Sequence, residues 1–400
     1  MTPGLRRLHL SCQRDWLREL ELIGADTDCW DRVRERSGIL VFRVDPIRAP
    51  AASILKQSML ASGCDAIISR DTITCRCEET GALVMGTPRN LRLACLSLEH
   101  QPFGLPEIGR RISSALDSPP ARPESLEWDD RRIDFSGLPA VIGVLNVTPD
   151  SFSDGGIYLD PDAAVSHALS MISEGASVID VGAESTRPGA LPVPEGVQID
   201  RVIPVIREIV RSDPGALVSI DTSSAKVAAA ALDAGACMIN DVRALADAGL
   251  RELAARAGVP VVLMHMKGTP ADMQVDPAYE DCVGEIYAFL AGAVARAVEA
   301  GVRRELIIVD PGIGFGKRLG DNLEILRRLS ELRWLGLPVL LGHSRKSFIA
   351  HLLGDVPAEQ RDAYTHIVTA MVAHDADMLR VHDVAGTLSA IRLGASLKGG

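Results

Sequence analysis

The sequence predicts an α/β protein, a (β/α)8 TIM barrel preceded by a smaller α/β domain. Three observations indicate it: eight short apolar segments follow residue 140, helical patterns separate them, and the proline-rich, charged stretch "DSPPARPESLE" precedes them. Eight strand-helix units in about 270 residues match a barrel fold whose usual size is roughly 250 residues. The alternative, a doubly wound open sheet, is disfavoured because no G-x-G-x-x-G turn follows the first strand.

Each predicted strand is a short run rich in Val, Ile and Leu, as expected for parallel strands that are buried on both faces. The predicted strands are 141–147, 177–183, 217–222, 237–242, 259–266, 306–312, 337–344 and 378–384.

The segments between these strands have the period of amphipathic helices. After Pro161, apolar residues recur at i, i+3, i+4 and i+7 from Val165 to Ile172, and Gly175 ends the pattern. Further helices are predicted at 224–234, 282–300, 321–334 and 358–373.

The domain boundaries follow from the composition of the stretch before the barrel. Residues 1–118 are predicted to form an N-terminal α/β domain, 119–127 a linker and 128–400 the barrel. In the first region, 38–44 and 82–87 have the composition of strands, whereas 50–63 and 89–99 have that of helices. This region shows no catalytic pattern, so its role stays open.

The overall composition limits the partners and the compartment. A net charge of −11 and a pI near 5.4 argue against nucleic acid and anionic membranes, which require clustered positive charge. No apolar run reaches the roughly 20 residues that span a bilayer, and the start lacks the apolar core of a secretory signal. None of the eight cysteines forms a C-x-x-C pair, which favours free thiols. We therefore expect a cytoplasmic protein.

Polar residues follow nearly every predicted strand at its carboxyl end. In a barrel these ends converge on one mouth, so residues far apart in the chain would share a single pocket. The set comprises Asn146, Glu184 to Arg187, Asp221, Asn240, Asp241, His265, Asp310, Ser344 to Lys346, Arg380, His382 and Asp383. Any single member is as readily explained as a helix cap, but their common position favours a binding site.

The types of side chain in this set predict the ligand. Asp221 and Asp310 follow buried strands, where a carboxylate needs N–H donors to offset its desolvation, and Asn240 can donate or accept beside them. Lys346 and Arg380, with Arg187 and His382, supply positive charge in an acidic protein, which predicts an anionic group. The expected ligand therefore has a donor-rich heterocycle at one end and a polyanion at the other.

The glycine-rich segment "DPGIGFGK" is similar to a phosphate-binding P-loop but does not match it. The spacing is one residue too short, and Arg318 stands where Ser or Thr would bind magnesium. Its glycines are expected to let the backbone approach a ligand closely. Lys317 is interpreted as a solvated charge and His265 as a structural histidine, while Met264 is either core filler or a contact for the ligand ring.

Eight motifs in the barrel region resemble the dihydropteroate synthase family in order and spacing. They are "NVTPDSFSDGG", "ESTRPGA", "SIDT", "INDV", "MHMKGTP", "DPGIGFGK", "SRKSF" and "RVHDV", within residues 141–384. The resemblance implies transfer of a hydroxymethyl-dihydropterin group from its pyrophosphate ester to 4-aminobenzoate, giving dihydropteroate and pyrophosphate. It also implies a homodimer and sensitivity to sulfonamides, which mimic 4-aminobenzoate.

The resemblance assigns roles to individual positions. It implies a pterin site, an aminobenzoate site, an anion site and one Mg²⁺ ligand. The pterin residues would be Asp221, Asn240, Met264, Asp310, Lys346 and Arg380; the aminobenzoate residues Phe152, Thr186, Arg187, Pro188, Phe315, Ser344 and Lys346; the catalytic residues Asn146, Asp154, Arg380 and His382, with Asn146 also binding Mg²⁺. The loop after Asn146, which contains Phe152 and Asp154, would close over the site.

Two other functions fit parts of this pattern. A methyltetrahydrofolate-dependent corrinoid methyltransferase would need the pterin-reading Asp and Asn, but it has no use for a pyrophosphate clamp or for the "TPDSFSDGG" and "STRPG" loops. A non-catalytic pterin sensor would be expected to lack Asn146, Arg380 or His382, and all three are present. The pattern therefore favours an SN1-like synthase that has no poised nucleophile-base pair.

Overall fold

The structure, a computed structural model, describes residues 13–23, 25, 29–74, 76–117, 123–148, 161–184, 193–269, 273, 275–354 and 356–398. The chain divides into two compact units, Met1–Pro119 and Pro120–Gly400. Among the described residues, no helix has both the length and the apolar character needed to cross a membrane.

The N-terminal unit is an α/β domain, as predicted, built on an antiparallel sheet of three strands in which the third strand along the chain lies between the first and the second. Buried side chains of the helices, among them Leu55, Met59 and Leu91, form its core. Its elements are α1 (Gln13–Leu22), α2 (Cys29–Arg36), β1 (Leu40–Arg48), α3 (Ala49–Ala61), β2 (Asp65–Ile68), α4 (Arg70–Ile73), β3 (Glu79–Gly86), α5 (Pro88–Leu98) and α6 (Leu105–Asp117).

The second unit contains the predicted barrel of eight parallel strands. Its strands are β6 (Ala140–Asn146), β7 (Val178–Gly182), β8 (Val218–Asp221), β9 (Met238–Asp241), β10 (Val261–Met264), β11 (Ile307–Asp310), β12 (Leu340–Leu341) and β13 (Met378–Val381). They are hydrogen-bonded in the order β11-β10-β9-β8-β7-β6-β13-β12. A parallel bridge between Val309 of β11 and Val339, just before β12, joins the two ends of this order and closes the barrel.

Helices follow the strands on the outside of the barrel. They are α7 (Pro161–Glu174), α8 (Glu195–Ser212), α9 (Ala225–Asp233), α10 (Ala248–Ala257), α11 (Cys282–Glu299), α12 (Leu319–Arg327), α13 (Ser347–Leu353), α14 (Asp362–Val372) and α15 (Val384–Lys398). The helices predicted at 321–334 and 358–373 are each divided, because Leu329–Leu335 and Ala358–Gln360 form 3-10 turns. Side-chain caps define several helix starts, such as Ser224, whose hydroxyl accepts from the Val227 N–H.

A hairpin that the sequence analysis did not predict lies at the amino ends of the barrel strands. It consists of β4 (Ser125–Trp128) and β5 (Arg131–Asp134), so the last residues of the predicted linker 119–127 belong to a strand. Alternating Leu126, Trp128 and Ile133 are buried against the inward side chains of the barrel strands. The hairpin therefore fills the amino end of the barrel and leaves the carboxyl end for ligands.

Candidate active site

Strand register places the first group of predicted site residues at one level of the barrel mouth. Asn146 pairs with Gly182, Gly182 with Asp221, and Asp221 with Asn240. Gly182 has no side chain, so Asn146 and Asp221 face each other across it: a Cβ built there would lie 3.9 Å from Asn146 Oδ1 and 3.4 Å from Asp221 Cβ. The structure thus brings these residues together as the strand-end pattern predicted.

A network of charged hydrogen bonds connects this level to β13, the neighbour of β6. The Arg380 guanidinium donates through Nε to Asp180 Oδ2 at 2.6 Å and through Nη2 to Asp221 Oδ2 at 2.8 Å. Asn240 Nδ2 also donates to Asp180 Oδ2, at 2.9 Å. The exposed fraction of the side chain is 20% for Arg380, 11% for Asp221 and 1% for Asp180, so the ion pairs lie at the base of the mouth.

Asp180 is a site residue that the sequence analysis missed. It lies in the middle of β7, whereas the prediction considered only residues at or beyond the strand ends. The available signal was the carboxylate inside the apolar run "SVIDVGA", because an ionised group within a buried barrel strand is costly unless a cation pairs with it.

Burial shifts the ionisation of the groups around the mouth. It raises the pKa of Asp221 to about 7, against the opposing effect of Arg380, and raises the pKa of Asp310 to about 6, against the Gly312 N–H bond. Burial also lowers the pKa of Lys346 to about 8, an effect that Arg380 reinforces and Asp310 and Asp221 oppose. For Arg380, burial alone lowers the pKa, but Asp180 and Asp221 outweigh it and keep the guanidinium charged.

The far side of the mouth is formed by the ends of β10, β11 and β12. Met264 of β10 pairs with Asp310 of β11. A Cβ built on Gly342 would lie 3.8 Å from Asp310 Oδ2 and 3.9 Å from Arg380 Cβ, so both residues border the same gap. The Lys346 ammonium stands 4.0 Å from the centre of the Phe315 ring, and Phe315 and Met264 belong to one apolar cluster. Carboxylate, ammonium and an apolar wall therefore lie side by side.

His382 is a neutral histidine that is hydrogen-bonded to Ser344. Ser344 Oγ accepts from the His382 backbone N–H at 3.3 Å, so its own hydroxyl proton can be donated to His382 Nδ1, 3.0 Å away. Burial, with the charges of Arg345 and Arg380, lowers the pKa of His382 to about 3. The sequence analysis expected His382 to add to the positive charge of the mouth, whereas in the ligand-free chain it is neutral.

The glycine-rich segment after β11 is pressed against the loop after β10. Gly312 and Gly316 have φ of 68° and 63°, and a Cβ on them would lie 2.0 Å from the His265 carbonyl oxygen and 2.1 Å from that of Lys267. The glycines therefore allow close packing against another backbone segment, and the close approach to a ligand that was expected from the sequence stays a prediction.

Lys317 is buried, so its interpretation as a solvated charge was wrong. Only 3% of the residue is exposed. Its ammonium contacts three acceptors: His265 Nδ1 at 3.0 Å, the Phe315 carbonyl at 3.0 Å and the His265 carbonyl at 3.3 Å. Three acceptors match the three donors of an ammonium, and Lys317 fixes the segment that carries Phe315. His265 is a structural residue in this arrangement.

We expect Gly312→Ala to lower the free energy of unfolding by more than about 1 kcal/mol, because the left-handed backbone alone costs roughly 1–2 kcal/mol with a side chain. The overlap with the His265 carbonyl adds to this cost. Urea unfolding followed by circular dichroism measures the change. The matched control is Gly320→Ala in α12, where a Cβ meets no atom within 4 Å. A loss of stability at Gly320 as large as at Gly312 would contradict the steric explanation.

Several strand-end residues of the predicted set bind the protein itself. Arg345 makes two hydrogen bonds to Asp362, at 2.7 and 2.6 Å. Asp241 accepts from the Leu245 N–H at 2.7 Å and from the Arg243 N–H at 2.9 Å, and Asp383 accepts from the Gly386 N–H at 3.0 Å. The contacts of these residues are those of helix caps and loop-stabilising side chains and not those of ligand-binding groups. Predicted residues that lie outside the described ranges are Phe152, Asp154, Ser185, Thr186, Arg187 and Pro188.

A divalent cation such as Mg²⁺ would need oxygen ligands at the mouth. Within the described ranges, no group of three or more His, Cys, Asp or Glu side chains could hold a metal ion. A complete protein cage for a cation is therefore not formed by these residues. Mg²⁺ usually keeps several waters and binds through one or two protein oxygens plus substrate phosphates. The amide oxygen of Asn146, at the rim across Gly182 from Asp221, fits that second mode.

The chain is similar in sequence to known synthases. Residues 142–382 match the family described as "Pterin binding enzyme". Dihydropteroate synthase of Escherichia coli is 44% identical over 255 residues, which are 64% of this chain and 90% of that protein. A probable bifunctional folylpolyglutamate synthase/dihydropteroate synthase of Haloferax volcanii is 40% identical over 86% of this chain, which itself spans only 41% of that longer protein. This second match is longer than the barrel unit alone.

Solved structures show the same relationship. Dihydropteroate synthase from Yersinia pestis, in a sulfonamide drug complex, has a TM-score of 0.66 and 42% identity, covering 69% of this chain and all of the other. The enzyme from Xanthomonas albilineans with 4-aminobenzoic acid has a TM-score of 0.65 and 43% identity, covering 69% and 99%. With the barrel, the strand-end site and these matches together, the chain belongs to the dihydropteroate synthase family of pterin-binding enzymes.

Proposed function

We propose that this chain joins 6-hydroxymethyl-7,8-dihydropterin pyrophosphate to 4-aminobenzoate, giving 7,8-dihydropteroate and pyrophosphate in folate biosynthesis. The observation that supports it best is the set of acceptors and cations at one barrel mouth: Asp221, Asn240 and Asp310 beside Lys346 and Arg380. A corrinoid methyltransferase is less well supported, because it would not need a guanidinium at the anion end of the pocket.

The ring of the pterin is the part that the acceptors suit. Asp221 and Asp310 are carboxylates on opposite sides of the mouth, and each is desolvated enough to raise its pKa, so N–H donors of the ring would stabilise their charged forms. Lys346 would donate to the ring carbonyl, and Met264 would contact the ring face beside the Phe315 cluster.

The leaving group is the part that the cations suit. Arg380 would move part of its guanidinium from the carboxylates to the diphosphate, and His382 would donate its Nε2–H to it. Charge that develops on the departing oxygen would then be stabilised by these two donors. The electron-rich ring can delocalise the positive charge on the exocyclic carbon. The neutral aromatic amine would then attack that carbon without a general base, and the proton lost from the new ammonium would pass to the released pyrophosphate or to water. Phe315 and Lys346 would line the amine's slot.

We further propose that Mg²⁺ enters with the diphosphate and is held on the protein by Asn146. Bound there, it would neutralise part of the phosphate charge and so make the diphosphate a better leaving group. The other residues proposed for the aminobenzoate slot and the closing loop, Phe152, Asp154, Thr186, Arg187 and Pro188, rest on the sequence motifs alone. Ser344 has a further task, because it orients His382.

Reconstitution of the reaction tests this function. The full-length protein would be given the pterin pyrophosphate, 4-aminobenzoate and Mg²⁺, and dihydropteroate would be measured by chromatography. We expect product only when both substrates are present, loss of product with excess chelator, and recovery when Mg²⁺ is restored. Absence of dihydropteroate under all these conditions would refute the proposal.

The partner of this chain is proposed to be a second copy, bound through barrel helices. Exposed apolar side chains at i, i+4 spacing, Ile367 and Met371 on α14 and Leu393 and Leu397 on α15, form one patch. The two helices are in close contact, since a Cβ on Gly394 would lie 2.4 Å from the Ala370 carbonyl oxygen. We expect a dimer by sedimentation velocity and a monomer for Met371→Glu. A wild-type monomer at micromolar concentration would exclude the dimer.

The proposed compartment is the cytoplasm. Cys64, Cys95, Cys237 and Cys282 are buried free thiols in the described part of the chain, and unpaired thiols are typical of proteins in a reducing environment. Cell fractionation followed by immunoblotting tests this location, and recovery in the secreted fraction would exclude it.

A further inference from the structure

The buried carboxylate of Asp180 accepts hydrogen bonds from two residues that contact the substrate in the proposed function. Asp180 Oδ2 accepts from Arg380 Nε at 2.6 Å and from Asn240 Nδ2 at 2.9 Å. Asp180 itself is 1% exposed and lies two residues before Gly182, on the same face of β7. It therefore stands underneath the ligand site, in contact with both residues.

The contact with Asp180 fixes which end of the Asn240 amide can face a ligand. A carboxylate only accepts hydrogen bonds, so the Asn240 atom that faces Asp180 is the NH2 group. The carbonyl oxygen of Asn240 is then left for the ligand. The same contact holds the Nε edge of Arg380 while Nη2 donates to Asp221, which leaves Nη1 as the donor for an anion.

We propose that Asp180 is a positioning residue that sets Asn240 as a hydrogen-bond acceptor and aims the Arg380 guanidinium, and so makes the site specific for a ring that presents N–H donors. The proposal deepens the proposed function and rests on it for the identity of the ring. Asp180 Oδ1 supports it, because this atom is buried and has no hydrogen-bond partner within the described residues, so a further acceptor lies beneath the ligand.

With the Asn240 amide oriented in this way, the site presents several hydrogen-bond acceptors to the ligand ring. Asn240 Oδ1, Asp221 and Asp310 would all accept from the ligand, and a heterocycle with a ring nitrogen lone pair at the Asn240 position would find no donor there. If Asp180 is made able to donate, the Asn240 amide is free to turn and this selectivity is lost.

The test is the binding of 6-hydroxymethylpterin, measured by isothermal titration calorimetry, to the full-length wild type, Asp180→Asn, Asn240→Leu and the double variant. We expect Kd to rise about 10- to 100-fold in each single variant, the range for a hydrogen bond to a charged group. The double variant should lose no more than the weaker-binding single one, because Asp180 acts through Asn240 in ring recognition. The KM for 4-aminobenzoate should change less than threefold.

The matched control is Asp377→Asn, because Asp377 is a fully buried aspartate at the amino end of β13, where it accepts from the Val339 N–H at 2.8 Å. It should lower Tm and leave the Kd for 6-hydroxymethylpterin unchanged, as expected for a purely structural role. Kd within threefold of wild type in a folded Asp180→Asn variant would overturn the proposal. Multiplicative losses in the double variant would also overturn it.

Measuring pterin binding and dihydropteroate formation separately distinguishes a failure of this inference from a failure of the proposed function. A wild type that binds 6-hydroxymethylpterin but makes no dihydropteroate would refute the function, while the binding series would still decide the role of Asp180. If Asp180→Asn does not fold, a crystal structure of the wild type with 6-hydroxymethylpterin decides it. We expect Asp180 to keep both contacts in that complex. An Asn240 NH2 group turned toward the ring would overturn the proposal.

Discussion

Arg380→Lys is expected to lower kcat for dihydropteroate formation by about 10²- to 10³-fold, the usual loss when a preorganised donor to developing negative charge is removed. Lysine keeps one positive charge but cannot reach two carboxylates and an anion with the fixed fork of a guanidinium. In this site Nε and Nη2 contact Asp180 and Asp221, so the fork also sets the direction of the remaining donors. Steady-state assay of pyrophosphate release measures the change.

Arg380→Ala is harder to interpret than Arg380→Lys, because its effect on kcat is combined with a loss of stability. It would leave Asp180 buried without its cation, and breaking a buried pair in this way typically costs about 3–5 kcal/mol of stability. Thermal unfolding should therefore accompany every assay. The control is Arg211→Ala, which removes an exposed guanidinium paired with Glu208 on α8 and should leave kcat unchanged. Wild-type kcat in a folded Arg380→Lys enzyme would show that Arg380 does not stabilise the leaving group.

The affinity for 6-hydroxymethylpterin is expected to be highest between about pH 7 and pH 8. The pKa values of Asp310 and Asp221 are raised by burial to about 6 and about 7, so acidification protonates both and removes their charge as acceptors. Below about pH 6 the affinity should fall by about tenfold or more per pH unit. Above about pH 8, Lys346 loses its proton and its attraction for the ring carbonyl. Calorimetric titrations at constant ionic strength measure the profile.

For both carboxyls, the pH dependence of folding stability has the opposite sign to the pH dependence of ligand affinity. This difference provides the control. Because their pKa values in the folded protein exceed the unfolded values, the folded state binds more protons between about pH 4 and pH 7. These groups therefore stabilise the ligand-free protein as the pH falls, and lost affinity at pH 5.5 cannot be attributed to their unfolding the chain. Asp310→Asn should bind more weakly and keep only the step that belongs to Asp221. An affinity that rises on acidification from pH 7 to pH 5 would contradict the assignment.

The barrel and most of its mouth could be predicted from the sequence because both depend on local signals. Eight apolar strands alternate with helical patterns, and parallel strands bring their carboxyl ends to one edge, so Asn146, Asp221, Asn240 and Asp310 had to lie near one another once the barrel was assumed. The hairpin at the other end was not predictable in this way, since Leu126 and Trp128 follow a charged, proline-rich stretch that has the composition of a linker.

The contacts within the mouth depend on distances that no local pattern contains. Asp180 and Arg380 are 200 residues apart and meet only because β7 and β13 both flank β6. Lys317 has the sequence surroundings of a surface charge, and only the fold of the glycine-rich segment places three acceptors around it. The neutral state of His382 likewise follows from its burial and from nearby cations contributed by other strands. Which side chains form hydrogen bonds and ion pairs with one another could therefore be learned only from the three-dimensional structure.

The most direct test of the reaction uses pterin pyrophosphate with ¹⁸O in the oxygen that bridges carbon and phosphorus. Alkyl transfer breaks the carbon–oxygen bond, so we expect unlabelled dihydropteroate and one ¹⁸O atom in each pyrophosphate, by mass spectrometry after reaction with 4-aminobenzoate. Retention of ¹⁸O on 6-hydroxymethyl-dihydropterin, with no dihydropteroate, would show hydrolysis at phosphorus and would contradict transfer of the pterin methylene group.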